Sequence, residues 1–428
     1  MHHAMSDDLG VTFEDIEAAR ERIDDDTVVK RTPIERSTSL GGMVDARVFL
    51  KMEHLQWTGS FKTRGAYNKL KYCLETDGIE HAIAASAGNH AQGVALAATR
   101  LGVNATIVMP KTAPQTKIDA TRNYGATVEL HGSDFQEAMQ YAQSLAGSDA
   151  EATFIHAYDD PLIVAGQGTL GVEMYEDLPE VDTVIIPIGG GGLIGGVATA
   201  FATLNPEVRV IGVQAKEAAT VHDSLDKGIP QLLSSVDTIA DGIATGGISD
   251  LTLSLIEEYV DEVVEVSDEA IARSILLLLE RAKQLVEGAG AASVAGLLSD
   301  AVDVESETVM PLLGGGNLDM PMLQMVLTHA LAEREQLLQM RIRIKDVPGK
   351  MSELSGILAD HGANIRTVRH ERAVGDLTVG EAYLIFQVET AGANHSRSIT
   401  EAIAHHGYEV DIVNVQPRES LPQPGKPR

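Results

Sequence analysis

Cysteine and basic side chains are scarce in this sequence. The 428 residues include one cysteine, Cys73, and 33 Lys and Arg residues against 62 Asp and Glu, for a formal charge of −29. A single cysteine cannot form an intramolecular disulfide, which fits a cytoplasmic location. The negative charge argues against binding to nucleic acid or to an anionic membrane surface, because both need clusters of positive charge.

Lysine is the rarer of the two basic residues, with 13 Lys against 20 Arg. An acidic surface poor in lysine is typical of halophilic proteins, since salt screens the repulsion between carboxylates. An acidic protein from an ordinary cytoplasm is the alternative, and the composition leaves both open.

Signals for export or membrane insertion are also missing. The first ten residues, MHHAMSDDLG, lack the basic and then apolar pattern of a secretory signal peptide. The stretch from Val184 to Leu204 carries no charge, but it contains Pro187 and six glycines. We therefore interpret it as a strand, a loop and a helix inside a globular domain, and not as a membrane span.

Short apolar strands alternate with helical patterns over most of the chain. A helix is predicted at residues 12–23, where Thr12 precedes the acidic residues of a first turn. The segments AIAASAGNHAQGVALAATRLG and TVIIPIGGGGLIGGVATAFATL each indicate a strand, a turn and a helix. Strands that alternate with helices predict an α/β fold with parallel sheets whose faces are covered.

The pattern changes after residue 330, which we take as the end of the first domain. Residues 331–336 are predicted to be a linker helix, and 337–416 a small α+β domain with the order βαββαβ. The tail at 417–428 is rich in proline, so we expect it to be disordered.

The segment PIGGGGLIGG, residues 187–196, follows a predicted strand and begins a predicted helix. Its glycines let backbone N–H groups turn toward an anion at the helix N-terminus, so we predict a phosphate-binding loop. Gly190, Gly192 and Gly195 also match G-x-G-x-x-G, but Gln214 stands where a dinucleotide site needs an acidic residue. A tight turn without a ligand is the remaining alternative.

A second turn of this kind is SAGNHAQG, residues 86–93. Small residues at the end of a strand and before a helix make another N-terminus that favours an anion, and Asn89 can both donate and accept hydrogen bonds. An ordinary turn capped by Ser86 is the alternative, and His90 alone is a weak sign of a catalytic base.

Lys62 lies in the segment TGSFKTRGA, shortly after Ser60, which we expect to cap the next helix. A lysine in the first turn faces the positive end of the helix dipole, and burial would lower its pKa further. Both effects favour the free amine that a Schiff-base lysine needs. Any single lysine is more often a surface residue, but an amine, a phosphate loop and the aromatic ring of Phe61 together fit pyridoxal 5'-phosphate.

The motifs SFKTRGA, SAGNHAQG, GGGGL and LLGGGNLD, in this order, resemble the fold-type II pyridoxal-phosphate enzymes. TIADGIAT and VEGAGAAS, at 238–245 and 286–293, look most similar to threonine dehydratases, also called threonine ammonia-lyases. The resemblance covers residues 12 to about 330 and implies a two-lobed, tryptophan synthase β-like catalytic domain, with a smaller mobile lobe at about 53–153. Residues 337–416 resemble an ACT domain, a module that commonly binds amino acids in regulated metabolic enzymes.

This resemblance implies a role for each matching residue. Lys62 would bind the cofactor covalently, Phe61 would pack beside it, and Asn89 would hydrogen-bond its ring hydroxyl. The cofactor phosphate would be held by Gly189, Gly190, Gly191, Gly192 and Leu193. The substrate carboxylate would be bound by the backbone N–H groups of Ser86, Ala87, Gly88, Asn89 and His90.

Gly314 departs from the family pattern, which usually has Ser, Cys or Thr there to contact the pyridine nitrogen of the cofactor. The resemblance still implies that Gly314 lies beside the cofactor, without that hydroxyl. Elimination needs less stabilisation of a carbanion than racemisation, so the glycine favours a dehydratase over a racemase. Gln214 and Thr220 stand where the metal site of serine racemases would want carboxylates, so no metal is expected.

The implied reaction converts L-threonine to 2-oxobutanoate and ammonia, a first step toward isoleucine, and L-serine to pyruvate in the same way. Lys62 would act as covalent anchor and as the base for the α-proton. The ACT-like domain implies regulation by isoleucine, valine or another amino acid near the Pro-Gly turn of DVPGKMSEL, with mere subunit association as the alternative. The family also implies a homo-oligomer, a dimer or a tetramer.

Three other functions stay open. A serine dehydratase or racemase would use the same cofactor chemistry. A β-replacement enzyme usually has a substrate loop that differs from SAGNHAQG. A non-catalytic amino-acid sensor is supported only by Gly314, against the presence of Lys62, Asn89 and the glycine loop.

Overall fold

The computed structural model describes residues 9–23, 26–372 and 377–413. The first eight residues, which belong to the segment without a signal-peptide pattern, and the predicted tail at 417–428 lie outside the described residues. The chain divides into two compact units, Met1–Asp319 and Met320–Arg428. Within the described ranges, every helix is too short or too polar to pass through a bilayer.

The helices and strands of the first unit follow one another mostly as βα pairs. The helices are α1 Phe13–Arg22, α2 Thr38–Val44, α3 Lys62–Asp77, α4 Asn89–Leu101, α5 Gln115–Asn123, α6 Phe135–Ser148, α7 Pro161–Asp177, α8 Gly192–Leu204, α9 Val221–Lys227, α10 Asp250–Tyr259, α11 Asp268–Leu277 and α12 Gly288–Leu297. The strands are β1 Ile34–Arg36, β2 Arg47–Lys51, β3 His81–Ala85, β4 Asn104–Met109, β5 Thr127–Leu130, β6 Ala152–Phe154, β7 Thr183–Pro187, β8 Arg209–Ala215, β9 Glu262–Val266 and β10 Thr308–Pro311.

The larger sheet of this unit has the strand order β1-β2-β10-β7-β8-β9. Strand β1 runs antiparallel to β2, and the other neighbours are parallel. The central strands β7 and β10 are buried at every position. Burial on both faces is expected of a parallel strand covered by helices on both sides, so the predicted α/β fold with parallel sheets is confirmed.

The smaller sheet has the order β5-β4-β3-β6, with all neighbours parallel. Its core is rich in alanine, and Ala91, Ala95 and Ala98 of α4 are fully buried. Small side chains allow helix and sheet to approach closely. With α3 to α6, this sheet spans residues 62–154, close to the predicted smaller lobe at 53–153; movement of that lobe stays a prediction.

Helix α1 begins as its sequence predicts. The Thr12 hydroxyl accepts the backbone N–H of Asp15 at 3.2 Å, and the Asp15 carboxylate accepts the N–H of Thr12 at 2.9 Å. This reciprocal pair is a capping box, which satisfies two N–H groups that the helix itself leaves without acceptors.

Ser60 does not cap α3, so that expectation was wrong. The residue before the helix is Phe61, which already has helical backbone angles, and the Ser60 hydroxyl has no hydrogen-bond partner among the described residues. Ser60 instead forms an antiparallel bridge with Gly315. This long-range backbone pairing fixes Ser60 away from the geometry that a capping residue needs.

The second unit contains α13 Met320–Glu333, β11 Leu337–Lys345, α14 Lys350–Asp360, β12 Asn364–Glu371, β13 Glu381–Glu389, α15 Ala393–His405 and β14 Glu409–Ile412. Its antiparallel sheet has the order β12-β13-β11-β14, and the apolar residues of α14 and α15 share one core with β11 and β13. The order from β11 to β14 is the predicted βαββαβ, which makes this a small α+β layer pair.

The boundary between the units differs from the predicted one. The division falls at Asp319, whereas the sequence pattern predicts that the first domain ends at residue 330 and that only 331–336 form a linker helix. Helix α13 runs unbroken across that point, because no glycine or proline interrupts it after Pro321.

Candidate active site

One cavity of the first unit lies where several strands end and helices begin, the usual place for a ligand in an open parallel sheet. From the residues singled out in the sequence, its lining includes Phe61, Lys62, Asn89, Gly189, Gly190, Gly191, Gly192, Leu193 and Gly314. Residues that the sequence analysis did not single out complete the described lining: Ala157, Tyr158, Gln167, Pro187, Gly242, Ile243, Thr245, Glu287 and Ala289.

Lys62 is the first residue of α3, and its side chain is partly buried at the cavity. Its Nζ donates to the carbonyl oxygen of Ala157 at 3.1 Å and lies 5.1 Å from the centre of the Phe61 ring. Burial lowers the pKa of Lys62 from 10.5 to about 8, and the charge of Glu287 opposes this shift only in part. Lys62 is therefore deprotonated in a larger fraction of molecules near neutral pH than an exposed lysine would be.

Close contact between backbones holds the first turn of α3 in place. A side chain at Gly93 of α4 would come within 3.0 Å of the Lys62 carbonyl carbon, and one at Gly166 of α7 within 2.6 Å of the Gly65 Cα. Only glycine leaves room for helices this near. The chain thus fixes Lys62 from two sides with residues far away in the sequence.

A buried network of ion pairs also anchors this turn. The guanidinium of Arg64 bonds to both oxygens of Glu53, at 2.9 and 2.8 Å, and to Glu173 at 2.5 Å. Lys51 Nζ bonds to Glu173 and Asp177 at 2.9 and 2.8 Å. Separating a buried ion pair leaves an unpaired charge and costs several kcal/mol, roughly 3–5. The network therefore connects α3 firmly to β2 and α7.

The glycine turn follows β7 and leads into α8. Gly191, the residue before the helix, has φ +88°, which strongly favours glycine. The backbone N–H groups of residues 189–193 donate to no described acceptor outside the helix. Free N–H groups at a helix N-terminus bind anions, so the turn has the properties predicted for a phosphate loop.

Tyr158 and Thr252 shape the glycine turn, and neither was predicted from the sequence. A side chain at Gly190 would overlap the Tyr158 ring, and one at Gly192 would reach its Cβ at 3.0 Å. The Thr252 hydroxyl donates to the Gly190 carbonyl at 2.8 Å, and the Tyr158 hydroxyl donates to the Gly247 carbonyl at 3.2 Å. Both contacts cross long stretches of chain, and no local pattern signals them.

Asn89, the first residue of α4, belongs to a chain of side-chain hydrogen bonds. Its Nδ2 donates to Glu287 at 2.6 Å, and its Oδ1 accepts from Asn317 at 2.7 Å. Burial raises the pKa of Glu287 to about 7, while the bond from Asn89 lowers it. Glu287 and Asn317 lie in segments quoted only for their resemblance, so no role was predicted for either.

The turn at residues 86–90 only partly fits its predicted role. The N–H of Ser86 donates to the Val108 carbonyl at 3.2 Å, and the N–H of Gly88 to the Ser86 hydroxyl at 3.1 Å. The predicted role of the Ser86 N–H is therefore wrong, because strand pairing extends one residue past β3, whereas the Gly88 N–H makes only a local bond to the Ser86 side chain. The N–H groups of Ala87, Asn89 and His90 keep that role as a prediction.

The side chain of His90 is not placed for catalysis. It is buried, and its Nε2 lies 2.9 Å from the carbonyl oxygen of Ile155. Burial, and secondarily the charge of Lys62, lower the pKa of His90 to about 3. A neutral imidazole bonded to the backbone is a structural residue, in agreement with the weak sequence signal for a catalytic base.

Gly314 has room for a side chain. A Cβ there would lie 3.5 Å from Cδ1 of Phe61 and 3.8 Å from Cγ of Pro187, which are ordinary contact distances. Crowding therefore does not impose the glycine, and a serine would fit at this position.

Gln214 has a structural role at the end of β8. Its Oε1 accepts the N–H groups of Thr220 and Val221 at 3.1 and 3.0 Å, which closes the loop before α9. In the part of the chain that the structure describes, no three His, Cys, Asp or Glu side chains are grouped to hold a metal ion.

The residues present fit pyridoxal phosphate. An amine with a lowered pKa, an aromatic ring, an amide and a helix N-terminus with free N–H groups line one cavity. These groups match an aldehyde, a ring, a ring hydroxyl and a phosphate, in that order. A side chain at Gly190 would disturb the turn that offers the N–H groups, so the fit includes the shape of the site.

Comparison with known proteins agrees with this geometry. Residues 26–315 match the family described as pyridoxal-phosphate dependent enzyme. The chain is 44% identical, over 94% of its length and 100% of the relative, to the L-threonine ammonia-lyase of Thermotoga maritima.

Two solved structures are similar as well. One is the processed form of threonine deaminase isoform 2 from Solanum lycopersicum, with 36% identity, a TM-score of 0.71, and coverage of 76% of this chain and 89% of that one. The other is maize serine racemase, with 34% identity, a TM-score of 0.70, and coverage of 76% and 99%.

Proposed function

The chain belongs to the family of pyridoxal-phosphate dependent enzymes, and we propose that it is a threonine ammonia-lyase, which converts L-threonine to 2-oxobutanoate and ammonia. The observation that carries the chemistry is the Lys62 amine, which lines one cavity with the glycine turn. The 44% identity to an L-threonine ammonia-lyase, over nearly the whole chain, supports the substrate.

Each part of the cavity would hold one part of the cofactor. Pyridoxal phosphate supplies an aldehyde that condenses with amines and a ring that stabilises negative charge on the substrate. Lys62 would hold it through Nζ, residues 189–193 would hold the phosphate through backbone N–H groups, and Asn89 would bond to the ring oxygen. Phe61 would pack beside the ring, next to Gly314.

Lys62 also serves as the base. Its Nζ would accept the α-proton of the substrate, and a pKa of about 8 keeps part of this amine unprotonated at neutral pH. The Ala157 carbonyl orients Nζ, and no described carboxylate lies within ion-pair distance of it. One lysine therefore serves as both anchor and base.

The substrate carboxylate would bind at the start of α4. Asn89 and His90 are the first residues of α4 and Ala87 lies just before it, so their N–H groups are at a helix N-terminus, where the dipole favours an anion. The Ser86 hydroxyl, partly exposed, would be a further donor.

The test is release of 2-oxobutanoate from L-threonine by the purified protein with pyridoxal phosphate, at low and at high KCl. We expect turnover on L-threonine and slower release of pyruvate from L-serine. If the protein binds the cofactor and both amino acids stay unchanged, the ammonia-lyase function is wrong and the sensor hypothesis gains.

A serine-directed activity is the second candidate, because maize serine racemase is similar over 76% of this chain. Relative rates on L-threonine and L-serine, with chiral analysis of the remaining serine, separate the two. The appearance of D-serine at a rate near that of deamination would favour a racemase.

We further propose that the second unit regulates the first by binding an amino acid, with isoleucine as the leading candidate and valine as the next. Support comes from its βαββαβ order and from the Pro348-Gly349 turn that begins α14. Isoleucine and valine are to be added to the 2-oxobutanoate assay. If neither changes the rate or the oligomeric state, the unit has only an assembly role.

A homo-oligomer, a dimer or a tetramer, is proposed from the family resemblance. Light scattering of the purified protein in KCl gives the mass directly, for comparison with the 45.6 kDa chain.

A further inference from the structure

The amide of Asn89 can face the cavity in two ways, either with an N–H group or with its carbonyl oxygen. Which of them the cofactor meets is decided by the neighbours, since an Asn side chain can rotate by half a turn and exchange the two ends. The hydrogen bonds around Asn89 fix one orientation.

The orientation of the Asn317 amide is set by the backbone carbonyl of Thr58. Asn317 Nδ2 lies 2.8 Å from the Thr58 oxygen, and a carbonyl oxygen can only accept. The same Nδ2 lies 2.7 Å from Asn89 Oδ1. Both hydrogens of the Asn317 amino group are therefore used, and the end of Asn89 that faces it must be the oxygen.

The other end of Asn89 is then its amino group. One of its hydrogens donates to Glu287 Oε1 at 2.6 Å. The second hydrogen has no described acceptor, and Asn89 lines the cavity. The cavity therefore meets a donor at this position and not an acceptor.

Two glycines leave space for the side chains that bond to Asn89. Gly59 has φ +72°, and a side chain there would lie 2.6 Å from Asn317 Oδ1. A side chain at Gly315 would overlap Glu287 Oε1. Two glycines thus leave space for the two residues that flank Asn89.

We propose that Asn317 and Glu287 are positioning residues that hold the Asn89 amide with an N–H toward the cavity, so that the site favours the ring oxygen of the cofactor as a hydrogen-bond acceptor. This inference rests on the proposed function, which assigns that ring oxygen to Asn89. Asn317 sets the orientation, and Glu287 supports it from the other end.

The experiment measures the dissociation constant and the absorbance spectrum of pyridoxal phosphate bound to variants freed of cofactor. Asn317→Asp can only accept, so Asn89 turns its amino group toward it and its carbonyl toward the cavity. We expect the dissociation constant to rise about 10-fold or more, since a hydrogen bond to a charged group becomes a repulsion between two acceptors. The spectrum of the bound cofactor should change as well.

The double variant Asn317→Asp with Glu287→Gln separates orientation from charge. The amide introduced by Glu287→Gln can donate to the Asn89 oxygen, so it stabilises the turned amide, and binding should be no better than in Asn317→Asp. If the effect were only the added negative charge, removing the Glu287 carboxylate would restore part of the affinity. Such a recovery would overturn the proposal.

Controls keep the result specific. Asn123→Asp adds the same charge at an exposed position at the end of α5 and should bind the cofactor like the parent protein. Asn317→Ala removes the donors without adding charge and should show a smaller change in the same direction; it also serves if the aspartate variant does not fold. Unchanged binding and spectrum in both Asn317 variants would refute the inference alone, whereas a parent protein that binds no cofactor would refute the proposed function and the inference with it.

Discussion

Two lysines only eleven positions apart have opposite surroundings. Lys51, at the end of β2, is fully buried, and its Nζ bonds to the Thr32 carbonyl and to the carboxylates of Glu173 and Asp177. Lys62, at the start of α3, is partly buried and bonds to one carbonyl oxygen. One amine lies in a saturated ionic network, and the other faces a cavity with a lowered pKa.

The comparison shows that burial alone does not make a reactive lysine. What matters is where the carboxylates lie, and Arg64 decides part of that. It donates to the second oxygen of Glu173 and to both oxygens of Glu53, so these two carboxylates are already paired with a cation. The network therefore anchors α3, and none of the ion pairs found among the described residues includes Lys62.

The largest effect is expected when the Lys62 amine, the reactive one of the two lysines, is removed. Lys62→Ala should lower turnover on L-threonine by at least about 1,000-fold, because the covalent anchor and the base are both lost. The 2-oxobutanoate assay and the absorbance of the bound cofactor measure this. Lys111→Ala, at an exposed lysine, is the control and should keep both. Full activity of the Lys62 variant would refute the assigned role.

The same substitution at the two lysines should change stability in opposite directions. Lys51→Met leaves buried carboxylates without a partner and should lower the free energy of unfolding by about 3–5 kcal/mol. Lys62→Met removes an ammonium that is costly to bury. It should raise the free energy of unfolding of the cofactor-free protein by about 1–2 kcal/mol at pH 7. Urea unfolding without cofactor measures both. Changes of the same sign would contradict the comparison.

The stability gain of Lys62→Met should depend on pH. The folded pKa of Lys62, about 8, lies below its usual 10.5, so the unfolded parent chain binds more protons between these values. The free energy of unfolding contributed by Lys62 therefore rises with pH from about 8 to about 10.5, by roughly 3 kcal/mol in total. The gain measured by urea unfolding at pH 7 should therefore shrink at pH 9 and become a loss by about pH 10. A gain that stays constant would show that the pKa is not lowered.

The smallest effect concerns the cavity beside Lys62, which Lys51 does not line. Two glycines of that cavity, Gly190 and Gly314, test its shape. Gly190→Ala should weaken pyridoxal phosphate binding by roughly 10-fold, because a methyl group meets the Tyr158 ring and shifts the turn, a cost of about 1–3 kcal/mol. Gly314→Ser, where a side chain fits, should bind within about 3-fold of the parent, within the roughly 1 kcal/mol of a substitution without overlap. Cofactor titration compares the two. If both variants lost the same affinity for pyridoxal phosphate, Gly314 would not have room for a side chain.

Much of the fold follows from local patterns. Residues 12–23 contain both the cap and the helix they predict, and the segments around residues 86 and 189 are strand, turn and helix as expected. These elements are determined by neighbours in sequence, which propensity and periodicity describe. The family, the α/β fold and the cofactor follow from the same motifs and are confirmed.

The expectations that failed depend on pairing between distant segments. Ser60 is held by Gly315 and does not cap α3, and the Ser86 N–H is taken by Val108. The boundary placed at residue 330 missed that α13 continues from Met320. In each case a backbone contact or an unbroken helix overrides what the local residues suggest.

The sequence by itself determined which groups the site contains, because an amine, an amide and a glycine turn at helix starts are local features. Only the tertiary structure decided how these groups behave. Glu287 and Asn317 reach Asn89 from 198 and 228 residues away, and the ion pairs of Arg64 span up to 109 residues. A pKa and the orientation of an amide depend on what lies within a few ångströms in space, and no local pattern contains that information.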